Sequence, residues 1–103
     1  MKRIVVLFNL KPGVDVDAYE SWARSTDLPT VNALQSVDRF TVHKAVGLLG
    51  KDDKPPYEYI EIIDVNDMQT FGENVSTETM RKVAGEFQGF ADAPVFILTD
   101  AVT

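Results

Sequence analysis

The chain has 103 residues, enough for a single domain spanning residues 1–103 and too few for two. With 16 acidic and 10 basic side chains its net charge is −6, which disfavours a nucleic-acid partner. The absence of cysteine and the presence of one histidine exclude disulfides, a thiolate nucleophile and a multi-histidine or cysteine metal site within one chain, so we expect no metal. No stretch resembles a signal peptide or a membrane span, which leads us to expect a cytoplasmic protein with no membrane partner.

The N-terminal third predicts a strand followed by a helix. Ile4–Phe8 is apolar on both faces, as is typical of a central strand. Apolar residues then recur at helical spacing, which predicts a helix over about residues 15–25 with Asp15 as its cap. Because Pro29 disfavours the helical conformation at Leu28, we expect this helix to break at residues 26–31, with either a short restarted turn or none before a second strand begins.

The remaining elements follow in the same way. A second strand is predicted at about residues 37–46 and a third at residues 57–65, separated by an irregular connection at residues 47–56 that is either a lid or simply a long loop. Asp67 and Ser76 are expected to cap two helices, the second of which ends at Gly89. Pro94 is expected to open the last strand, residues 95–98.

This order of elements predicts a ferredoxin-like βαββαβ fold of the α+β class. It has a four-stranded antiparallel sheet with helices on one face. Most of the predicted strands are apolar on both sides, so a lone copy would expose a large hydrophobic sheet face, with Ile60 and Ile62 at its centre. We therefore expect a homodimer packed through the sheet faces, a dimeric α/β barrel.

The third strand carries the first candidate site residues. Alternation places Tyr57, Tyr59 and Glu61 on one face, beneath the helices. A carboxylate there must be hydrogen-bonded or neutral, which makes Glu61 a candidate general acid or base; the alternative is a structural ion pair with a basic side chain. Tyr57 and Tyr59 are candidate substrate-binding residues or ordinary core tyrosines.

Three further residues are candidates on chemical grounds. His43 has a pKa suited to proton transfer, but the pattern leaves open whether it lies at the pocket, the dimer seam or in solvent. Asp27 follows the first helix and is either a polar group at the pocket mouth or a cap for the turn at Pro29. Trp22 faces the sheet and is either core or the wall of a substrate pocket.

Several short motifs resemble a known family. The chain looks like a dimeric α/β-barrel protein, and residues 11–40 are similar to the RedY-like family of prodiginine and bisindole pathways. The carrying motifs are Leu10-Lys11-Pro12-Gly13-Val14, Tyr19-Glu20-Ser21-Trp22 and Thr26-Asp27-Leu28-Pro29-Thr30-Val31, with Leu34, Ser36-Val37 and Phe40. The resemblance implies a small enzyme of secondary-metabolite biosynthesis that uses no cofactor and acts on an aromatic intermediate.

Other members of that superfamily fit less well. Cyclases of the olivetolic acid type have a histidine near the start of the second long helix and another on a strand, where this chain has residues 76–80 and Tyr59. A haem role is disfavoured because the one histidine lies on a strand. The favoured interpretation is therefore an acid-base enzyme of the cyclase or dehydratase kind, with a ligand carrier or pathway scaffold and a cofactorless monooxygenase as alternatives.

Overall fold

The computed structural model describes residues 1–103 and contains one four-stranded antiparallel sheet. Its strands are β1 (Lys2–Leu10), β2 (Val37–Lys44), β3 (Tyr59–Val65) and β4 (Ala91–Thr99), in the spatial order β2-β3-β1-β4. The helices are α1 (Val16–Trp22), α2 (Leu28–Asn32), α3 (Met68–Asn74) and α4 (Glu78–Phe90), and a π-helical turn, Ala23–Asp27, joins α1 to α2. The predicted ferredoxin-like fold is confirmed.

The two faces of the sheet differ in what covers them. On the helix-covered face, the buried Val6, Phe8, Tyr59 and Phe87 belong to one aromatic-rich core cluster. On the open face, cross-strand partners lie side by side as Val5 with Ile62 and Leu7 with Ile60, all only half-buried. The subunit therefore keeps one apolar sheet face without a cover of its own.

The predicted helix break at Pro29 is wrong, and a π-helical turn is found instead. The N–H of Leu28 donates to the carbonyl of Ala23, five residues back, and Leu28 itself is helical with φ −59° and ψ −51°. Pro29 then occupies the first turn of α2, where a helix needs no N–H from it. The chain thus continues as one widened helical segment from Val16 to Asn32.

The π-turn decides which side chains point inward. Four residues, spaced four apart, are buried along this segment: Tyr19, Ala23, Asp27 and Val31. In a regular α-helix four residues advance by one turn and about 40° more, so such a series would drift off the buried face. A turn with more residues offsets that drift and keeps Asp27 pointing toward the sheet.

Several predicted boundaries shift. Asp67 caps α3 through the N–H groups of Gln69 and Thr70, as predicted, but Asp15 makes no side-chain cap bond. The cap of α4 is Thr77 rather than Ser76, whose hydroxyl donates to the carbonyl of Gly72. The predicted end of α4 is also wrong, since the helix passes Gly89 and reaches Phe90.

The last strand also starts earlier than predicted. β4 begins at Ala91, so Pro94 lies inside it rather than at its start. It is accommodated because β4 is an edge strand and its register with β1 shifts between Leu7 and Asn9. None of the four helices combines the length and hydropathy needed to cross a bilayer.

Candidate active site: two buried carboxyl groups and a cleft

Glu61 lies at the centre of the sheet, on the face that the helices cover. Its cross-strand neighbours are Val6 on β1 and Val42 on β2, and only 5% of its surface is exposed. No basic side chain pairs with it, so the structural ion pair considered from the sequence is absent. Its Oε2 atom has no hydrogen-bond partner in the protein.

Asp27 approaches the same region from the helical side. It is also 5% exposed, and although it stands at the start of α2, its side chain makes no cap hydrogen bond. The capping role considered from the sequence is therefore excluded. Burial raises the pKa of Asp27 to about 7.

The charge of Asp27 acts on Glu61. Burial, with a further contribution from the nearby charge of Asp27, raises the pKa of Glu61 to about 8. Two carboxylates in a dry site do not both ionise readily, because each charge loses hydration and repels the other. Near neutral pH the pair therefore retains a proton that it can give or receive.

Tyr19 is the third polar group of this buried cluster. It is fully buried on α1, its hydroxyl has no partner in the protein, and burial together with the charges of Glu61 and Asp27 raises its pKa. The sequence places Tyr19 in the first helix and in one of the family motifs, without a role in the site. Its spacing of eight residues from Asp27 carried no signal for a shared site until the π-turn was known.

A cleft of about 130 Å³ leads toward this cluster from the surface. Tyr19, Ala23, Leu28, Val42 and Tyr59 form its inner wall, and Glu20, Arg24 and Lys44 form its mouth. Drug-sized ligands usually occupy about 300–1,000 Å³, so the cleft as it stands accepts about one ring. Neither Glu61 nor Asp27 lines it, but Val42 is the cross-strand neighbour of Glu61 and Leu28 follows Asp27.

Glu20 contacts three other residues that line the cleft. Its Oε2 accepts a hydrogen bond of 2.6 Å from the Tyr59 hydroxyl and lies 3.3 Å from Nζ of Lys44. Its Oε1 accepts one of 3.2 Å from Nη2 of Arg24. The bond from Tyr59 is the main reason that the pKa of Glu20 is lowered, while burial and the same bond raise the pKa of Tyr59.

The other predicted site residues lie elsewhere. His43 pairs with Ile60 on the open face, is exposed, and its Nε2 is 3.0 Å from the Thr41 hydroxyl. Within one subunit it is therefore on the opposite side of the sheet from Glu61. Tyr57 was predicted to share a face with Tyr59, which is wrong: regular alternation begins only at Tyr59, and Tyr57 lines a hollow on the open face with Leu7.

Trp22 packs beside the site without lining the cleft. Its ring contacts Tyr19 and Phe90, and its Nε1 donates to Glu86 at 3.1 Å. The structure therefore favours a packing role for Trp22, between α1 and α4, over a role in the pocket wall. No three histidine, aspartate or glutamate side chains converge in a way that would hold a metal ion.

The sequence matches the profile of one family, described as REDY-like protein HapK, over residues 2–102. The chain belongs to this family. The crystal structure of HapK from Hahella chejuensis is 28% identical, with a TM-score of 0.81 over 99% of this chain and 93% of that one. No functionally curated protein matches the sequence.

Two more distant structures share the fold of this REDY-like chain. A dimeric ferredoxin-like protein of unknown function from Thermobifida fusca is 16% identical, with a TM-score of 0.76 over 97% of this chain and 90% of that one. A mutant of SnoaB from Streptomyces nogalater, described as a cofactor-independent oxygenase, is 14% identical, with a TM-score of 0.71 over 99% and 93%. At these identities the likeness concerns the fold alone.

The shifted pKa values predict an unusual pH dependence of stability. The pKa of Glu61 is about 8 in the folded chain and 4.5 in its ordinary state, so between these values the folded chain keeps a proton that the unfolded chain has lost. The free energy of unfolding should therefore fall as pH rises through this window, by up to about 1.4 kcal/mol per pH unit for such a proton. Glu61→Gln should flatten this fall, measured by urea unfolding at several pH values.

Glu73→Gln is the matched control, because Glu73 is exposed on α3. Its stability should follow the wild-type pH dependence. If the curves of Glu61→Gln and wild type run parallel through the window, Glu61 does not hold its proton in the folded state.

Proposed function

We propose that this protein is a cofactor-independent enzyme that performs acid-base chemistry on a small aromatic intermediate of the pyrrole or indole kind. The reaction would be a cyclisation or dehydration in which Glu61 and Asp27 exchange one proton with the substrate. The observation that carries the proposal is the pair of buried carboxyl groups whose pKa values lie near neutrality. A general acid or base works best when its pKa lies near the working pH.

The unpartnered atoms support the same proposal. Oε2 of Glu61 and the hydroxyl of Tyr19 are buried and satisfied by nothing in the chain. Such groups are rare in folded proteins and call for an explanation, because each costs free energy until it is paired. A substrate heteroatom that enters past the inner wall of the cleft would supply the missing hydrogen bonds.

Each group has a distinct proposed role. Glu61, on strand β3, donates the proton to the substrate or accepts it. Asp27 keeps the pKa of Glu61 high and is the second group that can bind this proton. Tyr19 donates a hydrogen bond to the developing negative charge, and the ring of Tyr59 forms the surface on which the substrate ring lies. Such acid-base assistance is typically worth about a hundred- to ten-thousand-fold in rate.

Glu61→Gln should lower turnover by about a hundred- to ten-thousand-fold, because the amide keeps the shape of the side chain but cannot exchange a proton. The assay follows loss of a pyrrole or indole pathway intermediate in single-turnover experiments. Asp27→Asn should also lower turnover, with its optimum moved to lower pH because the repulsion on Glu61 is gone. Glu73→Gln is the control for the change of charge.

His43→Asn separates this proposal from the site predicted by sequence alone. His43 lies on the open face, so its replacement should leave turnover unchanged. A loss as large as that of Glu61→Gln would instead show that His43 reaches the chemistry, which one subunit does not permit. Full activity in Glu61→Gln would remove the central residue of the proposal.

Two alternative functions are distinguishable by the same assay. One alternative is a cofactorless oxygenase, because SnoaB shares this fold. The other is a ligand carrier or pathway scaffold that catalyses no reaction. Turnover without oxygen supports the acid-base enzyme, and turnover that requires oxygen supports the oxygenase. Tight binding without turnover supports the carrier.

We further propose that the protein acts as a homodimer packed through its open sheet faces. Val95 and Ile97 of β4 are 39% and 41% exposed, and they continue the apolar surface of Val5, Leu7, Ile60 and Ile62 on this face. Soluble monomers rarely expose a contiguous apolar patch of this kind, and a two-fold dimer covers it twice with one contact.

Ile62→Glu should convert the dimer to a monomer, because it puts a carboxylate at the centre of the open face, beside Val5. Light scattering at micromolar concentration measures the mass. Val46→Glu is the matched control, since Val46 is 94% exposed in the connection between β2 and β3. A folded wild-type monomer under these conditions would rule out the dimer.

A further inference from the structure

The mouth of the cleft carries two cations that are held in place. Arg24 is on the π-turn and Lys44 is at the end of β2, and both reach the same carboxylate, Glu20, at 3.2 and 3.3 Å. Glu20 in turn is anchored to the Tyr59 hydroxyl. Both cations are thus held at the opening by one carboxylate rather than left free in solvent.

Both cations retain donors for a ligand. Their side chains are 72% and 54% exposed, for Arg24 and Lys44 respectively. A guanidinium offers five N–H donors and an ammonium offers three, and each uses one of them on Glu20. The remaining donors face the solvent at the mouth, where an acceptor group of a bound molecule would lie.

The charge around the mouth is positive although the whole chain is negative. A second hollow lies on the outer side of Lys44 and includes Lys54 and Glu58. Glu58 accepts a hydrogen bond from the backbone N–H of Leu10, and Glu20 is taken up by its three donors. Around the two hollows there are thus three cations, Arg24, Lys44 and Lys54, and two carboxylates that already accept hydrogen bonds. This local excess of positive charge contrasts with the net charge of −6 of the whole chain.

The cleft is large enough for only part of a substituted aromatic ligand. About 130 Å³ accommodates one ring against Tyr19, Tyr59 and Val42, so substituents of that ring must lie at the mouth. We propose that the mouth selects an aromatic carboxylate, with its ring in the cleft and its anionic group on the solvent-facing donors of Arg24 and Lys44 that Glu20 leaves unused. This rests on the proposed function, since it names the chemical class of the substrate for that site.

Three planar probes of the same shape and different charge test the proposal: benzoate, benzamide and benzamidine. Binding is followed at neutral pH by chemical-shift titration of the backbone amides. Benzoate should bind about fivefold more tightly than benzamide, the gain expected for an ion pair at a partly exposed site, and benzamidine most weakly. The preference should shrink between about 0.01 and 1 M salt, as the Debye length falls from about 30 to about 3 Å.

The double variant Arg24→Gln/Lys44→Gln should lose the preference for benzoate over benzamide, because the cations are gone and the Glu20 carboxylate remains. Arg81→Gln/Lys82→Gln is the control, because it removes the same two charges from exposed positions on α4 that line neither hollow. It should keep the wild-type preference for benzoate.

Equal binding of benzoate and benzamide by the wild type, or a preference for benzamidine, would overturn the proposal. The latter result would mean that Glu61 and Asp27 attract cations more strongly than the mouth attracts anions. Absence of binding by all three probes would overturn it too, together with the use of this cleft as a substrate site. The measurement does not depend on catalysis, so Glu61→Gln should retain the benzoate preference whether or not its turnover is lost.

Discussion

The burial of Glu61 is the constraint on which the site depends. A carboxyl group at the centre of a sheet, between Val6 and Val42, is tolerated only if it keeps its proton or finds partners, and its Oε2 has none in the chain. Asp27 makes ionisation harder still, because a second carboxyl group in the same dry region adds repulsion to the loss of hydration. The result is a group that destabilises the fold when it is charged.

The π-turn explains how Asp27 comes to share this region. The turn before Pro29 is widened, with the N–H of Leu28 bonded to the carbonyl of Ala23, and Pro29 follows in the first turn of α2, where its missing N–H is tolerated. That widening aligns Tyr19, Ala23 and Asp27 along one buried face, and the exposed Arg24 remains at the mouth. The π-turn therefore carries residues both deep in the site and at its entrance. π-turns are frequent at functional sites, and here the turn re-aims side chains that an α-helix would send elsewhere.

Much of the fold could be predicted from the sequence, whereas the site could be predicted only in part. The alternation predicted over residues 57–65 places Glu61 on the covered face, as the structure does, because alternation is a local property. Alternation misplaces Tyr57 because the regular strand begins only at Tyr59. Residue preferences alone also do not distinguish a helix break at Pro29 from a π-turn before it. The Glu20 cluster joins residues from α1, the π-turn, β2 and β3; the spacing of four residues predicts only its Glu20–Arg24 pair, and the contacts with Lys44 and Tyr59 depend on the fold.

The most direct test of the buried proton is a carbon-13 NMR titration of the side-chain carboxyl carbons of Glu61 and Asp27. The pair should titrate with apparent pKa values near 7 and 8, well above those of exposed carboxyl groups. In Asp27→Asn the pKa of Glu61 should fall from its wild-type value, because the repulsion is removed while the burial remains. If both groups titrate near pH 4 in the wild type, they are ionised at neutral pH, and the buried proton on which the proposed chemistry depends does not exist.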